Sequence, residues 1–206
     1  MKIKIIGSSL AYWLGERIKE NVPPFELNLG LQGDSVDVKG ISGAGFIKLY
    51  NSLPLILPEP VDLLVILAGG NDICNFADTN VIFQGYEKLM NHVLSSALAK
   101  HVLMLGILPR NAPRGISVHE YNVRAWELNK KLEIALAQRH DATFWKLRGF
   151  WNPQEKTSVD GQTVWQSLNL FRDGVHFNEV GLRRLAMGIR RAISSVQTSY
   201  LNSCRE

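Results

Sequence analysis

Apolar positions along the chain follow two periods in turn. Ile3–Ile6 is a short run rich in β-branched residues, closed by Gly7, and predicts a first strand. Leu10, Leu14 and Ile18 then recur at helical spacing. Val36–Ile41 predicts a second strand, followed by Gly43 and Gly45. A short helix is expected next, through Tyr50, ended by Pro54, Pro58 and Pro60. Asp62–Ala68 is a nearly continuous apolar run, suited to a central parallel strand. Ile82, Tyr86, Leu89, Val93 and Ala97 fall on one face of a helix. Val102–Leu108 predicts a fourth strand, stopped by Pro109. Tyr121, Ala125, Leu128, Leu132 and Ala135 mark another amphipathic helix, and Ala142–Leu147 a fifth strand. Residues 149–168 are mixed and polar and are expected to form a long loop. Leu182, Leu185, Ile189, Ile193 and Val196 define a final helix.

Strand–helix alternation repeated five times predicts an α/β fold, a parallel sheet with helices on both faces. There is no internal repeat and no linker, so one domain is expected over 1–198, with a tail at 199–206. In such folds function gathers at the carboxyl ends of the strands. Gly7-Ser8-Ser9 follows the first strand, Gly43 the second, and Gly69-Gly70-Asn71-Asp72 the third.

Composition narrows the class. The chain has 206 residues, 46% of them hydrophobic and 20% charged, a globular profile with material for a core. A net charge of +4 permits contact with an anionic surface without indicating it. Two cysteines, Cys74 and Cys204, offer neither a disulfide framework nor zinc spacing, so a reducing, cytoplasmic setting is expected. No run of about 18 apolar residues predicts a membrane span, and the start of the chain does not read as a signal peptide.

The chemistry sits at the strand ends. Acyl transfer through serine needs a hydroxyl, a base, a group to orient the base, and donors for the oxyanion. Ser9 opens the first helix and is the candidate nucleophile, with its own N–H aimed at the reacting oxygen. The same residues also read as a plain helix cap. Asp173 and His176 lie three apart before the last helix, spaced for one turn to hold an imidazole against a carboxylate. A capped turn with a surface histidine has the same spacing. Asn71 can donate a side-chain N–H from a tight turn with exposed amides, and the N–H of Gly43 can approach a ligand closely. Each reads singly as a turn former. Ser42, in Gly40-Ile41-Ser42-Gly43-Ala44, nearly matches a nucleophile elbow but ends on alanine. His92, His101, His119 and His140 have no partner at useful spacing.

Taken in order, Gly7-Ser8-Ser9-Leu10, Gly43, Gly69-Gly70-Asn71-Asp72 and Asp173-Gly174-Val175-His176 resemble the four blocks of the SGNH, or GDSL-type, hydrolases, over almost the whole chain. The resemblance implies a flavodoxin-like three-layer α/β/α sandwich on a five-stranded parallel sheet. It implies Ser9 as nucleophile, His176 as base and Asp173 as its orienter. Ser9, Gly43 and Asn71 would form the oxyanion hole, and no metal or cofactor is called for. One position departs: Asp usually precedes the nucleophile, and here Ser8 stands there. A hydroxyl accepts a hydrogen bond more weakly than a carboxylate, which bears on the placement of Ser9.

Leu108-Pro109-Arg110, Asn122-Val123-Arg124, Asn129 and Phe171–Phe177 are also similar to a metazoan branch of such domains, found in first-frame proteins of LINE-type retrotransposons. That similarity implies a parent that handles RNA or lipid. Arg183, Arg184, Arg190 and Arg191 lie on the last helix, either as a solvated face or as a patch for RNA or anionic lipid. Trp13 is placed to line the site edge, and Trp151 and Trp165 to wall a pocket. The expected activity is hydrolysis of short, acetyl-like esters. Two alternatives are a weakly active or inactive binding module for RNA or anionic lipid, and a carbohydrate O-acetyl esterase.

Overall fold

A computed structural model describes residues 1–203 except 22, 24, 77, 152, 160 and 161, with backbone alone for 154–159, 162–167 and 199–203. Strands β1 (Lys2–Gly7), β2 (Ser35–Gly40), β3 (Val61–Leu67), β4 (Ala99–Leu105) and β5 (Ala142–Trp145) form one parallel sheet. Their order is β2-β1-β3-β4-β5. The chain runs outward from β1 to β2, then returns to the other side of β1 for β3. The connections therefore diverge between β1 and β3, where a crevice opens at the carboxyl ends.

Helices α1 (Ser9–Lys19), α2 (Phe46–Ile56), α3 (Gly70–Asn75), α4 (Thr79–Ser95), α5 (Val118–Ala137) and α6 (Glu179–Ser203) cover the sheet. Side chains of a strand alternate between faces, and β3 shows the result. Leu64 and Ile66 join the core under α2, α4 and α5, with Leu49, Leu89 and Leu128. Leu63 and Val65 join the core under α1 and α6, with Leu14, Leu185 and Ile189. Burial on both faces is why β3 reads as a nearly continuous apolar run. The edge strand β2 instead alternates exposed and half-buried positions.

Register brings the loops together. Gly7 pairs with both Gly40 and Leu67, so β1, β2 and β3 end level. The segments after them emerge side by side at one edge.

Three expectations change. Pro54 lies inside α2, which continues to Ile56. It lacks one N–H, but buried Leu49, Leu53 and Ile56 hold the last turn, and Leu57 N–H donates to Leu53 O at 2.8 Å. The Gly69–Asp72 segment is not an open turn, because α3 starts at Gly70. Residues 149–168 contain an antiparallel pair, β6 (Gln154–Val159) and β7 (Gln162–Ser167). The tail expected at 199–206 falls on residues described by backbone alone or lying outside the described set. Cys204 is among the latter, while Cys74 is a free, half-buried thiol.

Candidate active site

Ser9 is the first residue of α1, directly after β1. Ser8 holds the N-cap position but makes no side-chain cap bond. Intrahelical bonding starts with Tyr12 N–H donating to Ser8 O at 3.2 Å, so the N–H groups of the first turn, Ser9 included, face outward without helix partners. The Ser9 hydroxyl does not serve as a cap. It lies 3.0 Å from His176 Nε2.

The turn before α6 holds that imidazole. Asp173 Oδ1 accepts the backbone N–H groups of Val175 at 3.0 Å and His176 at 2.7 Å. Its Oδ2 lies 2.7 Å from His176 Nδ1. One carboxylate thus shapes the turn and orients the ring it contains. A carboxylate there only accepts, so Nδ1 carries the proton and Nε2 is left as acceptor for the serine hydroxyl. Desolvation acts to raise the Asp173 pKa. The two backbone donors and the imidazole outweigh it and hold the carboxyl well below its ordinary range. The turn is itself tied down, with Gly174 O accepting N–H groups from Asn111 at 2.8 Å and Ala112 at 3.2 Å.

The candidate donors Gly43 and Asn71 follow β2 and β3, the two strands that flank β1. Ala44 N–H donates to Ile41 O at 3.0 Å, closing a turn after β2 with Gly43 in its third place. Gly43 has φ +69, a conformation that suits glycine there, and a Cβ on it would meet nothing within 4 Å. Asn71 Nδ2 donates to Ala44 O at 2.9 Å, joining that turn to α3. An amide NH2 has two hydrogens, so one remains for a ligand.

Residues 5–184 match the GDSL-like Lipase/Acylhydrolase family. The chain belongs to that family. Solved structures with the same fold include a GDSL-like lipase from Bacteroides thetaiotaomicron, at 17% identity over 95% of this chain and 88% of that one, TM-score 0.68. A family 3 carbohydrate esterase from Clostridium thermocellum matches at 16% identity over 97% and 98%, TM-score 0.61. The acetyl xylan esterase AlAXEase matches at 18% over 94% and 100%, TM-score 0.62. No curated protein sequence matches the chain.

In this GDSL-like acylhydrolase, Ser9, Asp173 and His176 line a cleft of about 550 Å³. Tyr12, Trp13 and Ile41 supply its apolar lining, and Ser42 and Arg172 line it too. The Arg172 guanidinium lies 5.1 Å from the centre of the Trp13 ring. Ser42 is exposed, and its backbone carbonyl accepts from Lys48 Nζ at 2.9 Å. The one imidazole in the cleft is bonded to Ser9. His101 is bonded to Thr143 at 2.9 Å, and its pKa is lowered by burial. Trp151 walls a different cleft, of about 520 Å³, with Trp126 and Lys146, beyond β4 and β5. The Trp165 side chain lies outside what the structure describes. Among the described residues no acidic, histidine and cysteine cluster could hold a metal ion. No described helix is long and apolar enough to cross a membrane.

On α6, Arg183 pairs with Glu179, Arg184 donates to Gly149 O and Arg190 to Gly30 O. The first pair lies within α6, and the other two contacts bind the helix to the rest of the acylhydrolase.

Two site-bordering residues escaped the sequence reading. Asp72 is 4% exposed, and both its oxygens face Phe46 N–H, at 3.0 and 3.2 Å. Burial raises its pKa to about 6, against the opposing pull of the Phe46 N–H. Arg110, which the sequence marks only through the Leu-Pro-Arg similarity, donates from Nη2 to Asn71 Oδ1 at 2.9 Å. Its backbone is held by Asn122 of α5, Oδ1 to Arg110 N at 3.1 Å and Nδ2 to Arg110 O at 3.3 Å. Asn129, two turns along the same face of α5, holds Ile107 in the same way, at 2.7 and 2.9 Å. Asparagine on α5 facing an irregular segment after β4 was the available signal.

Proposed function

We propose that this chain is a serine esterase for short, acetyl-like acyl esters. The observation that carries the reading is the relay from Asp173 through His176 to Ser9, at 2.7 and 3.0 Å, opening into a cleft. Ser9 Oγ attacks the ester carbonyl carbon as its proton passes to His176 Nε2. Asp173 stabilises the imidazolium that forms. The tetrahedral oxyanion is met by the N–H groups of Ser9 and Gly43 and the free Asn71 Nδ2–H. Collapse breaks the ester C–O bond, and His176 returns the proton to the departing alcohol. Water, deprotonated by His176, then attacks the acyl-enzyme, and the carboxylic acid leaves as Ser9 regains its proton.

The preference for a short acyl group is supported by the cleft walls. Ser42 and the charged Arg172 line the cleft along with its apolar residues, and polar lining suits a short acyl group better than a long alkyl chain. Rates on p-nitrophenyl acetate, butyrate and palmitate test this, with acetate expected fastest. A palmitate preference overturns the chain-length reading. Failure of a fluorophosphonate probe to label the wild-type protein overturns the esterase reading itself.

A second reading has its own support. Tyr12 and Trp13 are 44% and 37% exposed, pack edge to face with centroids 5.4 Å apart, and stand beside Ser9. Exposed aromatic rings at a cleft suit the apolar face of a sugar, and two fold neighbours are described as an acetyl xylan esterase and a carbohydrate esterase. On this reading the substrate is a carbohydrate O-acetyl ester. Acetate release from acetylated xylan, weakened through KM by Trp13→Ala while p-nitrophenyl acetate turnover holds, is the expected result. Equal loss on both substrates removes this reading.

A further inference from the structure

Arg110 is only 8% exposed, and among the described residues no carboxylate lies within 4 Å of it. Burying a charge without a counter-charge carries a large desolvation penalty, so its surroundings need a reason. Its partners are neutral. Nη2 donates to Asn71 Oδ1 at 2.9 Å, Nη1 to Cys74 Sγ at 3.3 Å, and the guanidinium carbon sits 5.3 Å from the centre of the Tyr121 ring. It shares a small cavity, about 20 Å³, with Ser8, where the family resemblance leads one to expect a carboxylate.

We propose that Arg110 is a positioning residue of the oxyanion hole, acting through Asn71. This rests on the reading of Asn71 as an oxyanion donor. An asparagine amide presents either its oxygen or its NH2 to a site, and the two have nearly the same shape. A guanidinium has donors only, so it can bind the amide just by the oxygen. With Oδ1 on Arg110 and one Nδ2 hydrogen on Ala44 O, the second hydrogen has one direction left. A flipped amide would set NH2 against guanidinium and carbonyl against carbonyl. The positive charge on Oδ1 also withdraws electron density from the amide and strengthens its remaining N–H as a donor. The charge lies behind the site where negative charge develops, and is of greatest use in the transition state.

The test is a double-mutant cycle on p-nitrophenyl acetate, with Arg110→Met, Asn71→Ala and both together. Arg110→Met should lower kcat roughly 10- to 100-fold with KM within about threefold, less than loss of the donor itself. In the Asn71→Ala background the same change should cost less than about twofold, because there is no amide left to orient. Arg110→Lys, which keeps the charge and one donor, should recover part of kcat. Unchanged kcat in Arg110→Met, a loss carried by KM, or losses that multiply in the double variant would each overturn the proposal. If Arg110→Met does not fold, Arg110→Lys carries the same cycle, with reduced kcat when Asn71 is present and no effect in the Asn71→Ala background. A wild-type protein without esterase activity removes the function reading and this proposal with it. Normal activity in Asn71→Ala removes only the donor on which the proposal stands.

Discussion

Ser9 Oγ and His176 Nε2 lie 3.0 Å apart across 167 positions of sequence. The contact joins the end of β1 to the turn before α6. If it is the proton path, Ser9→Ala should lower kcat by about 10⁴-fold or more and abolish fluorophosphonate labelling, with the fold intact by circular dichroism. Ser42→Ala should stay within about threefold of wild type. Near-normal turnover in Ser9→Ala would assign the nucleophile elsewhere.

Gly43 separates donor geometry from crowding. A methyl group there meets no atom within 4 Å, yet the residue sits at φ +69. Gly43→Ala should therefore cost about 1 kcal/mol of stability through backbone strain alone. The strained turn shifts its N–H, and kcat should fall about 10-fold. Parallel urea unfolding and steady-state kinetics check both numbers. Full kcat with reduced stability would take Gly43 out of the oxyanion hole.

Asp72 links stability to pH. Its folded pKa is near 6, above the ordinary carboxyl value near 3.8. Between those values the folded chain keeps a proton that the unfolded chain has released. Its contribution is therefore most favourable below about pH 4, falls as pH rises through 6, and then levels off. Asp72→Asn keeps an acceptor for Phe46 N–H and cannot ionise. It should stabilise the protein by on the order of 2 kcal/mol at pH 7 and change it little at pH 4. Urea midpoints measured between those pH values decide it, and a gain that does not grow with pH would count against it.

Ser8→Asp probes the cavity shared with Arg110. With the guanidinium present, the new carboxylate gains a partner and the α1 N-terminus, and stability should rise by about 1 kcal/mol. With Arg110→Met the same carboxylate is buried alone, and stability should fall by about 3 kcal/mol. Equal effects in the two backgrounds, read by chemical denaturation, would show that the two positions do not meet.

The sheet was legible because its physics is local and periodic. Strands buried on both faces, such as β3, announce themselves as apolar runs, and α4 and α6 as stripes of core residues. Ser9 and Asn71 could be placed at strand ends from the sequence, and the three-residue spacing put Asp173 and His176 on one turn; the structure brings Ser9, His176 and Asp173 together. Pro54 misled because a helix end can spare one hydrogen bond when its apolar face is buried. The β6–β7 pair was missed although Asp160-Gly161 between polar, β-branched runs is a hairpin signal. Arg110 could not be assigned, since its place depends on Asn71, Cys74 and Tyr121, which the fold gathers from distant parts of the chain. Asp72 stands in sequence among turn formers, and nothing local says that Phe46 N–H waits 26 residues earlier.

The imidazole lies on the turn before α6, and Ser9, Gly43 and Asn71 all precede it by more than 100 residues. If the Ser9–His176 contact is the proton path, Ser9 stays an ordinary hydroxyl until the segment carrying Asp173 and His176 docks against the sheet. A chain clipped before Asp173 would then be chemically silent, and turnover would gauge how many molecules have closed the fold from β1 to α6.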